Sequence, residues 1–256
     1  MKRFIQITFF ILSVTLVTGL MAYVYIEHQK TPLQQVKIHV ARSSEKGFLD
    51  KEEIYDCIEK HLSDTTKLKD LDLSFIEDSL TQTPWVDEID AFTDIEGNLI
   101  INIKESEPVL RIFSQSGSTF FLDKNGKILP VSRKYTPRLL VANGYIKASP
   151  VKGFGNINDT IYKNSNLKAL LTVSKAIGNY PFLKSLISEI YVNSNNEIDL
   201  TPMVGNQLIH LGDTTNLSHK LENLIFFYKK SLVYEGWDKF TTLDLKYRNQ
   251  IVCTKK

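Results

Sequence analysis

The sequence begins with an apolar segment long enough to cross a membrane. Residues 4–26 carry no charged side chain. In a helix, at about 1.5 Å per residue, they would exceed the ~30 Å thickness of a hydrocarbon core. Lys2 and Arg3 come directly before the segment, and short basic flanks stay in the cytoplasm. The sequence therefore predicts one membrane-spanning helix, with a cytoplasmic N-terminus and the rest of the chain outside.

A cleaved signal peptide is the alternative interpretation of this segment. The apolar part of a signal peptide usually covers about 7–15 residues, which is shorter than residues 4–26. The stretch from Gly19 to Tyr23 offers no good Ala-x-Ala cleavage site. We therefore favour a retained anchor. A single helix cannot line a pathway, so a channel or transporter is excluded.

The charges of the chain argue against nucleic-acid binding as its main role. There are 31 basic and 29 acidic side chains, which leaves no broad basic field. An apolar content of 43% over 256 residues indicates one or two folded domains rather than a disordered chain. Two cysteines, Cys57 and Cys253, cannot form a disulfide framework, and we expect them to be unpaired.

A small α+β domain is predicted just outside the membrane. Apolar and polar residues alternate over residues 35–40, and two further strands are predicted at residues 85–92 and 99–103 on either side of a turn. Between the first strand and this pair, two capping-box patterns predict two helices. Two helices on one face of a small sheet form an α+β module.

The two predicted helices of this module each carry an apolar stripe. The capping pairs are Asp50 with Glu53 and Ser74 with Glu77. The stripe positions are Ile54, Cys57, Ile58 and Leu62 in the first helix, and Ile76 and Leu80 in the second. We therefore interpret Cys57 as a small core residue rather than a reactive thiol.

The second half of the chain predicts short strands and two longer helices. The predicted strands are residues 109–113, 119–122, 127–129, 139–142, 186–192, 197–200, 207–211 and 239–253. The helix stripes are Leu167, Leu170, Leu171, Ser174 and Ile177, then Leu217, Leu221, Leu224, Ile225 and Tyr228. Residues 123–126 predict a hairpin turn. A calcium loop is less favoured there, because the glutamate required at its twelfth position is a lysine, Lys134.

The last predicted strand, residues 239–253, has one apolar face and one polar face. The apolar face carries Leu243, Leu245, Tyr247, Ile251 and Cys253. Asn249 interrupts this face, which suggests a bend or bulge at that position.

Several motifs of the chain carry a family resemblance. The sequences FLDKEEI at residues 48–54, PWV at 84–86 and LIINIKESEPV at 99–109 resemble a POTRA (polypeptide-transport-associated) domain, and the last also resembles the junction in the bacterial FtsQ (DivIB) family. The sequences HLG at 210–212, KLENL at 220–224 and DLKYRNQI at 244–251 resemble the end of the same family's second domain. Lys246 stands where the family usually has arginine, so the charge is kept but the planar fork is not.

The resemblance implies an α+β fold class in three parts. Residues 1–30 would form a cytoplasmic stub and transmembrane anchor. Residues 31–107 would form a POTRA domain with the order β-α-α-β-β. Residues 108–256 would form a mixed α/β domain with an extended sheet.

No catalytic motif is found. The five histidines form no His-Glu-x-x-His, and there is no Gly-x-Ser-x-Gly elbow or Walker loop. We therefore expect no catalytic residue, no cofactor, no metal and no small-molecule substrate.

The resemblance implies a scaffold of the division machinery in the inner membrane at the septum. Its implied partners are an FtsB/FtsL-type coiled-coil pair, and through it the septal peptidoglycan synthase complex. The partner would add to a docking strand at residues 243–253, because a terminal strand has a free edge. The candidate binding residues are Tyr247, Arg248, Asn249, Gln250, Ile251 and Val252. We expect Leu243 and Leu245 to fill the core.

Three other functions remain open at this stage. They are a POTRA-containing component of an assembly or secretion system, a tethered cell-wall enzyme and a one-span sensor. The sequence shows no set of repeats or barrel for the first and no catalytic cluster for the second. For the third, the stub that ends at Arg3 offers no cytoplasmic relay.

Overall fold

The computed structural model describes residues 2–29, 31–42, 46–60, 67–150, 155–248 and 250–256. It divides into two compact units, Met1–Glu105 and Ser106–Lys256.

The first unit opens with one long helix, α1 (Lys2–Gln29). Among the described residues one stretch, Gln6–His28 within α1, is long and apolar enough to cross a membrane, and none of it is buried inside the protein. The predicted apolar segment is therefore one continuous helix, and the rest of the protein does not bury it.

The rest of this unit confirms the predicted β-α-α-β-β order. Its elements are β1 (Val36–Ala41), α2 (Lys51–Glu59), a 3-10 turn (Leu68–Asp70), α3 (Leu73–Thr81), β2 (Val86–Thr93) and β3 (Leu99–Glu105). The strand order is β1-β3-β2, with β1 parallel and β2 antiparallel to the central strand.

Most of the side chains in the predicted apolar stripes of α2 and α3 are buried. Ile54, Ile58, Ile76 and Leu80 are all buried, whereas Cys57 is only half-buried. Leu62 lies outside the described residues.

The predicted cap of α3 is wrong. Asp72, not Ser74, precedes the helix, and its carboxylate accepts a hydrogen bond from Phe75 N at 3.0 Å. Glu77 accepts instead from Ala91 N in β2, at 2.8 Å. Because Asp72 caps a first-turn N–H, α3 begins at Leu73, and the cap lies two residues before the predicted Ser74.

The second unit is a mixed α/β domain built on one large sheet. Its strands are β4 (Pro108–Phe113), β5 (Thr119–Asp123), β6 (Ile128–Leu129), β7 (Leu140–Gly144), β8 (Ile187–Val192), β9 (Ile198–Pro202), β10 (Leu208–Gly212), β11 (Phe240–Asp244) and β12 (Val252–Lys255). Its helices are α4 (Leu167–Gly178), α5 (Pro181–Leu186), α6 (Leu217–Phe226) and α7 (Leu232–Glu235), with a 3-10 turn (Thr160–Tyr162) and a π-helical turn (Phe227–Ser231).

The nine strands are ordered β12-β11-β10-β9-β8-β7-β4-β5-β6. Apolar side chains of alternate strand positions and of α4 and α6 form a single core, which includes Leu110, Leu200, Leu221 and Leu243, all fully buried. This confirms the predicted mixed α/β domain with an extended sheet.

The turn between β5 and β6 is confirmed. The Asp123 carboxylate accepts hydrogen bonds from Asn125 N at 2.8 Å and Lys127 N at 2.7 Å, and Gly126 has φ +82°. Backbone N–H groups therefore engage this carboxylate as a turn requires.

The prediction of one strand over residues 239–253 is wrong. The segment forms two antiparallel strands, β11 and β12, joined by residues 245–251. Asp244 Oδ1 accepts from Lys246 N at 2.9 Å, a local hydrogen bond typical of turns, at the start of this connection. Asn249, where a bend was predicted, lies outside the described residues.

Candidate partner-binding edge

Strand β12 forms one edge of the large sheet. Within the described part of the chain it has a strand neighbour on one side only, which is β11. The pairing sets Thr242 opposite Thr254 and Asp244 opposite Val252, and Thr242 Oγ1 donates to Thr254 Oγ1 at 2.7 Å. Such a strand offers a row of backbone groups to which another strand can add.

One backbone hydrogen bond determines the orientation of β11. Leu245 N donates to His210 O at 2.8 Å, so the backbone groups of Leu245 point to β10. Because successive residues of a strand point their N–H and C=O groups to opposite sides, those of Leu243 also face β10. The backbone groups of Thr242 and Asp244 therefore face β12.

The same alternation determines which groups of β12 face outward. Val252 and Thr254 lie opposite the β12-facing residues of β11, so their backbone groups complete this ladder. The N–H and C=O groups of Cys253 and Lys255 point away from the sheet. We call this outward row the terminal edge.

The β11–β12 connection, residues 245–251, contains most of the predicted binding residues. Tyr247 is 52% exposed, and Arg248 and Gln250 are also exposed. Ile251 is half-buried against the core. Val252, the last predicted residue, begins β12 and is 43% exposed.

The two leucines before this connection fill the core as predicted. Leu243 is fully buried, and Leu245 is 3% exposed. Neither side chain is available to a partner, so binding by this segment would depend on residues after Leu245.

A cleft of about 220 Å³ lies between the connection and the start of α6. His219 and Asn223 line it from the helix, and Tyr247 and Arg248 line it from the connection. In this cleft the aromatic ring of Tyr247 lies near polar side chains, close to the beginning of β12.

Lys220 lines this cleft and holds it together by hydrogen bonds. Its side chain is 10% exposed, and Nζ donates to Leu211 O and Asp213 O, both at 3.0 Å. It also donates to Asp213 Oδ1 at 2.9 Å. The Thr215 hydroxyl and Lys220 lower the pKa of Asp213 from 3.8 to about 2. These bonds tie the turn after β10 to α6.

Gly212 allows the connection to pack closely against this turn. It has φ +77°, and a Cβ added to it would lie 2.7 Å from Lys246 Cγ. The Lys246 side chain extends past this point to Glu197 Oε1 at 3.4 Å and Asp244 Oδ2 at 3.9 Å. The charge of Asp244 and a hydrogen bond to Glu197 raise the pKa of Lys246, because both favour its cationic form.

A histidine and an aspartate form a close pair within the sheet. His210 Nδ1 lies 2.7 Å from Oδ1 of the buried Asp199, on the adjacent strand. Over the described ranges, no group of three or more His, Cys, Asp or Glu side chains is arranged to hold a metal ion.

Two features of this region were missed from the sequence. The contact between Gly212 and Lys246 depends on the parallel pairing of β10 with β11, which pattern alone does not reveal. Tyr234 and Val233 on α7 are 87% and 62% exposed, and no prediction was made for them because the predicted helix stripe ends at Tyr228.

The architecture and its free edge define a class of protein. The chain combines one N-terminal apolar helix, a small β-α-α-β-β domain and a large mixed sheet with an open terminal strand. The POTRA-like domain family matches residues 33–104, and the family described as FtsQ/DivIB, C-terminal related, matches residues 107–254. The chain belongs to the FtsQ/DivIB family of cell division proteins.

A curated relative covers nearly the whole chain. The cell division protein FtsQ of Rhodothermus marinus is 26% identical over 236 residues, which is 90% of this chain and 80% of the relative. Family membership and the apolar helix α1 fit a single-pass inner-membrane protein that works with other division proteins.

Proposed function

We propose that this protein is a non-enzymatic scaffold of the bacterial divisome that captures an FtsB/FtsL-type partner by strand addition. The observation that carries the proposal is the terminal edge, where Cys253 and Lys255 direct their backbone groups away from the sheet. Membership of a cell-division family supports the setting.

The proposed topology follows from the charges around α1. Lys2 and Arg3 would hold the N-terminus in the cytoplasm, and both folded units would lie outside the inner membrane, in a type II orientation. The protein would act at the division septum. In this arrangement α1 and the first folded module would contact early division proteins, and the terminal edge would recruit later ones.

The terminal edge would supply affinity through backbone hydrogen bonds and selectivity through its side chains. An added strand would lie along β12, with Val252 exposed on the same face as Thr242 and Thr254. At the start of the strand, the ring of Tyr247 and the guanidinium of Arg248 border the cleft. A helical stretch of the partner pair would rest there, and the pair would connect the scaffold to the septal peptidoglycan synthase complex.

A proline placed at an outward-facing position tests the proposal. Cys253→Pro removes an outward N–H and keeps the inward bonds of Val252 and Thr254, so the sheet should remain folded. The partner loses one hydrogen bond and meets the pyrrolidine ring. We expect binding of the FtsB/FtsL-type pair to weaken about tenfold or more.

The matched control is Cys253→Ala, which keeps the N–H. Its dissociation constant, measured with the full-length chain in detergent or nanodiscs, should stay close to that of the natural protein. Equal binding by the proline and alanine variants would refute strand addition at β12.

The cellular role has a separate test. Depletion of the protein should give filamentous cells with segregated chromosomes and no septa, and a tagged copy should gather at midcell. Normal division after depletion would reject the divisome assignment, whatever the edge binds.

A further inference from the structure

Ile95 is the most exposed large apolar side chain in the described part of the chain, at 92%. It lies at the tip of the β2–β3 hairpin, where Gly97 N donates to Asp94 O at 3.2 Å to close the turn. A single exposed apolar residue is common on protein surfaces. Ile95, however, lies close to α1.

The hairpin tip lies beside the last turns of α1. His28 Nε2 is 3.1 Å from Asp94 O, and Gln34 N donates to Gly97 O at 3.0 Å. A groove of about 580 Å³ runs between the tip and the helix, bounded by Ile95 on one side and by α1 positions as far back as Val17 on the other.

The groove extends along α1 beside residues that belong to its uncharged segment. Leu20 and Val24 also line it, and the uncharged run continues to residue 26. Leu20 lies about 9 Å before the end of this run, at about 1.5 Å per residue. If α1 spans the membrane, lipid at the outer interface must meet the hairpin tip.

The polar groups of the tip are held by partners within the module. The Asp94 carboxylate accepts from Asn98 N at 2.9 Å and from Asn98 Nδ2 at 2.8 Å, and Lys37 Nζ lies 3.8 Å away. Glu96 Oε2 accepts from Asn98 Nδ2 at 3.2 Å and is 3.9 Å from Lys37 Nζ. Asn98 and Lys37 thus supply polar partners to both carboxylates within the module, and Lys37 offsets one of the two negative charges. Ile95 is the apolar end of the tip.

We propose that the β2–β3 hairpin tip inserts Ile95 into the outer interfacial layer of the bilayer, as a second membrane contact beside α1. The occupant of the groove is lipid, because its helical wall continues the surface that α1 presents to the bilayer. The contact would hold the small domain at a fixed height and orientation on the membrane. This inference rests on the proposed anchoring by α1.

Spin-label accessibility in a bilayer tests the insertion. The full chain, with Cys57→Ala and Cys253→Ala, would carry one nitroxide at Ile95→Cys and be placed in nanodiscs of phosphatidylethanolamine and phosphatidylglycerol. Matched chains would carry it at Asp90→Cys, exposed on β2 about 17 Å from the tip, or at Val14→Cys inside α1. Collisions with oxygen report lipid, and collisions with a water-soluble nickel chelate report water.

We expect the oxygen-to-nickel ratio at position 95 to be several-fold above that at position 90 and below that at position 14. A ratio at 95 equal to that at 90 overturns the inference. Shielding of position 95 that arises only when other division proteins are added also overturns it, since the occupant would then be protein. A water-like ratio at position 14 would show that α1 does not span, whereas partner capture at β12 is tested independently by Cys253→Pro.

Discussion

Gly212 and Lys246 occupy adjoining space at one corner of the large sheet, such that a Cβ on Gly212 would lie 2.7 Å from Lys246 Cγ. The glycine ends β10, and the lysine follows the end of β11, its parallel neighbour. The chain that leads to the terminal edge therefore packs closely against the turn only when position 212 has no side chain.

Gly212→Ala should destabilise the second unit and weaken partner binding. The alanine would need a left-handed backbone at φ +77° and would press on Lys246, at a cost of about 1–3 kcal/mol. Unfolding of the full chain can be followed by Trp237 fluorescence in a Trp85→Phe background, which leaves a single tryptophan.

A double-mutant cycle separates the two causes of this loss. In a Lys246→Ala background the collision is gone but the backbone strain remains, so Gly212→Ala should cost less than in the natural chain. An equal cost in both backgrounds would mean that the side-chain contact contributes nothing.

Lys220→Met should also destabilise the second unit. The methionine keeps the apolar stem but removes the donor from Leu211 O, Asp213 O and the Asp213 carboxylate, so we expect a loss of about 2–3 kcal/mol. Lys230→Met, at an exposed position just after α6, is the matched control and should stay within about 0.5 kcal/mol. The contact with Asp213 would have no structural role if both variants unfolded alike.

The stability of the second unit should depend on Asp213 in acid. Its pKa is lowered from 3.8 to about 2, so the ionised carboxylate stabilises the folded state. This contribution is complete above about pH 4 and is lost as the pH falls through about 2. Because Asp213 is exposed, the effect should be small.

The test compares midpoints of thermal unfolding for the natural chain and Asp213→Asn across this pH range. The advantage of the natural chain should be present at pH 5 and shrink towards pH 2. Asp238→Asn, at another exposed position of the same unit, serves as the reference. A constant difference between the natural chain and Asp213→Asn would contradict the assigned role of the carboxylate.

The order of the elements could be predicted from periodicity, because buried faces impose regular spacing. The apolar alternation of residues 99–103 appears in β3, and the helix predicted after Asp50 begins at Lys51. The cap of α3 was misplaced since Asp72 and Ser74 are both good caps, and only the backbone geometry decides between them.

The error at residues 239–253 has a different cause. Apolar and polar residues continue to alternate through the connection, so pattern alone does not show that the chain reverses. At the start of the connection Lys246 N donates to Asp244 Oδ1, a local turn contact that the alternation does not reveal. The binding residues, Tyr247 among them, could be proposed from the family resemblance. The backbone groups of β12 that face outward could be identified only from the strand register.

Tyr247→Ala should weaken capture of the FtsB/FtsL-type pair without unfolding the protein. The ring is half-exposed beside the cleft, and aromatic anchors at interfaces often contribute about 2 kcal/mol or more. Tyr247→Phe should retain most of the affinity, because it keeps the ring. Tyr55→Ala, an exposed tyrosine on α2, should bind normally. Normal binding by Tyr247→Ala would remove this residue from the interface.

Amide hydrogen exchange at β12 tests the central claim most directly. In the free protein, the amides of Val252 and Thr254 bond to β11 and should exchange slowly, while those of Cys253 and Lys255 should exchange quickly. Addition of the FtsB/FtsL-type pair should slow exchange at Cys253 and Lys255, since a new strand would accept hydrogen bonds from them. If the pair binds while both amides still exchange at their free rates, the terminal edge is not where the partner adds.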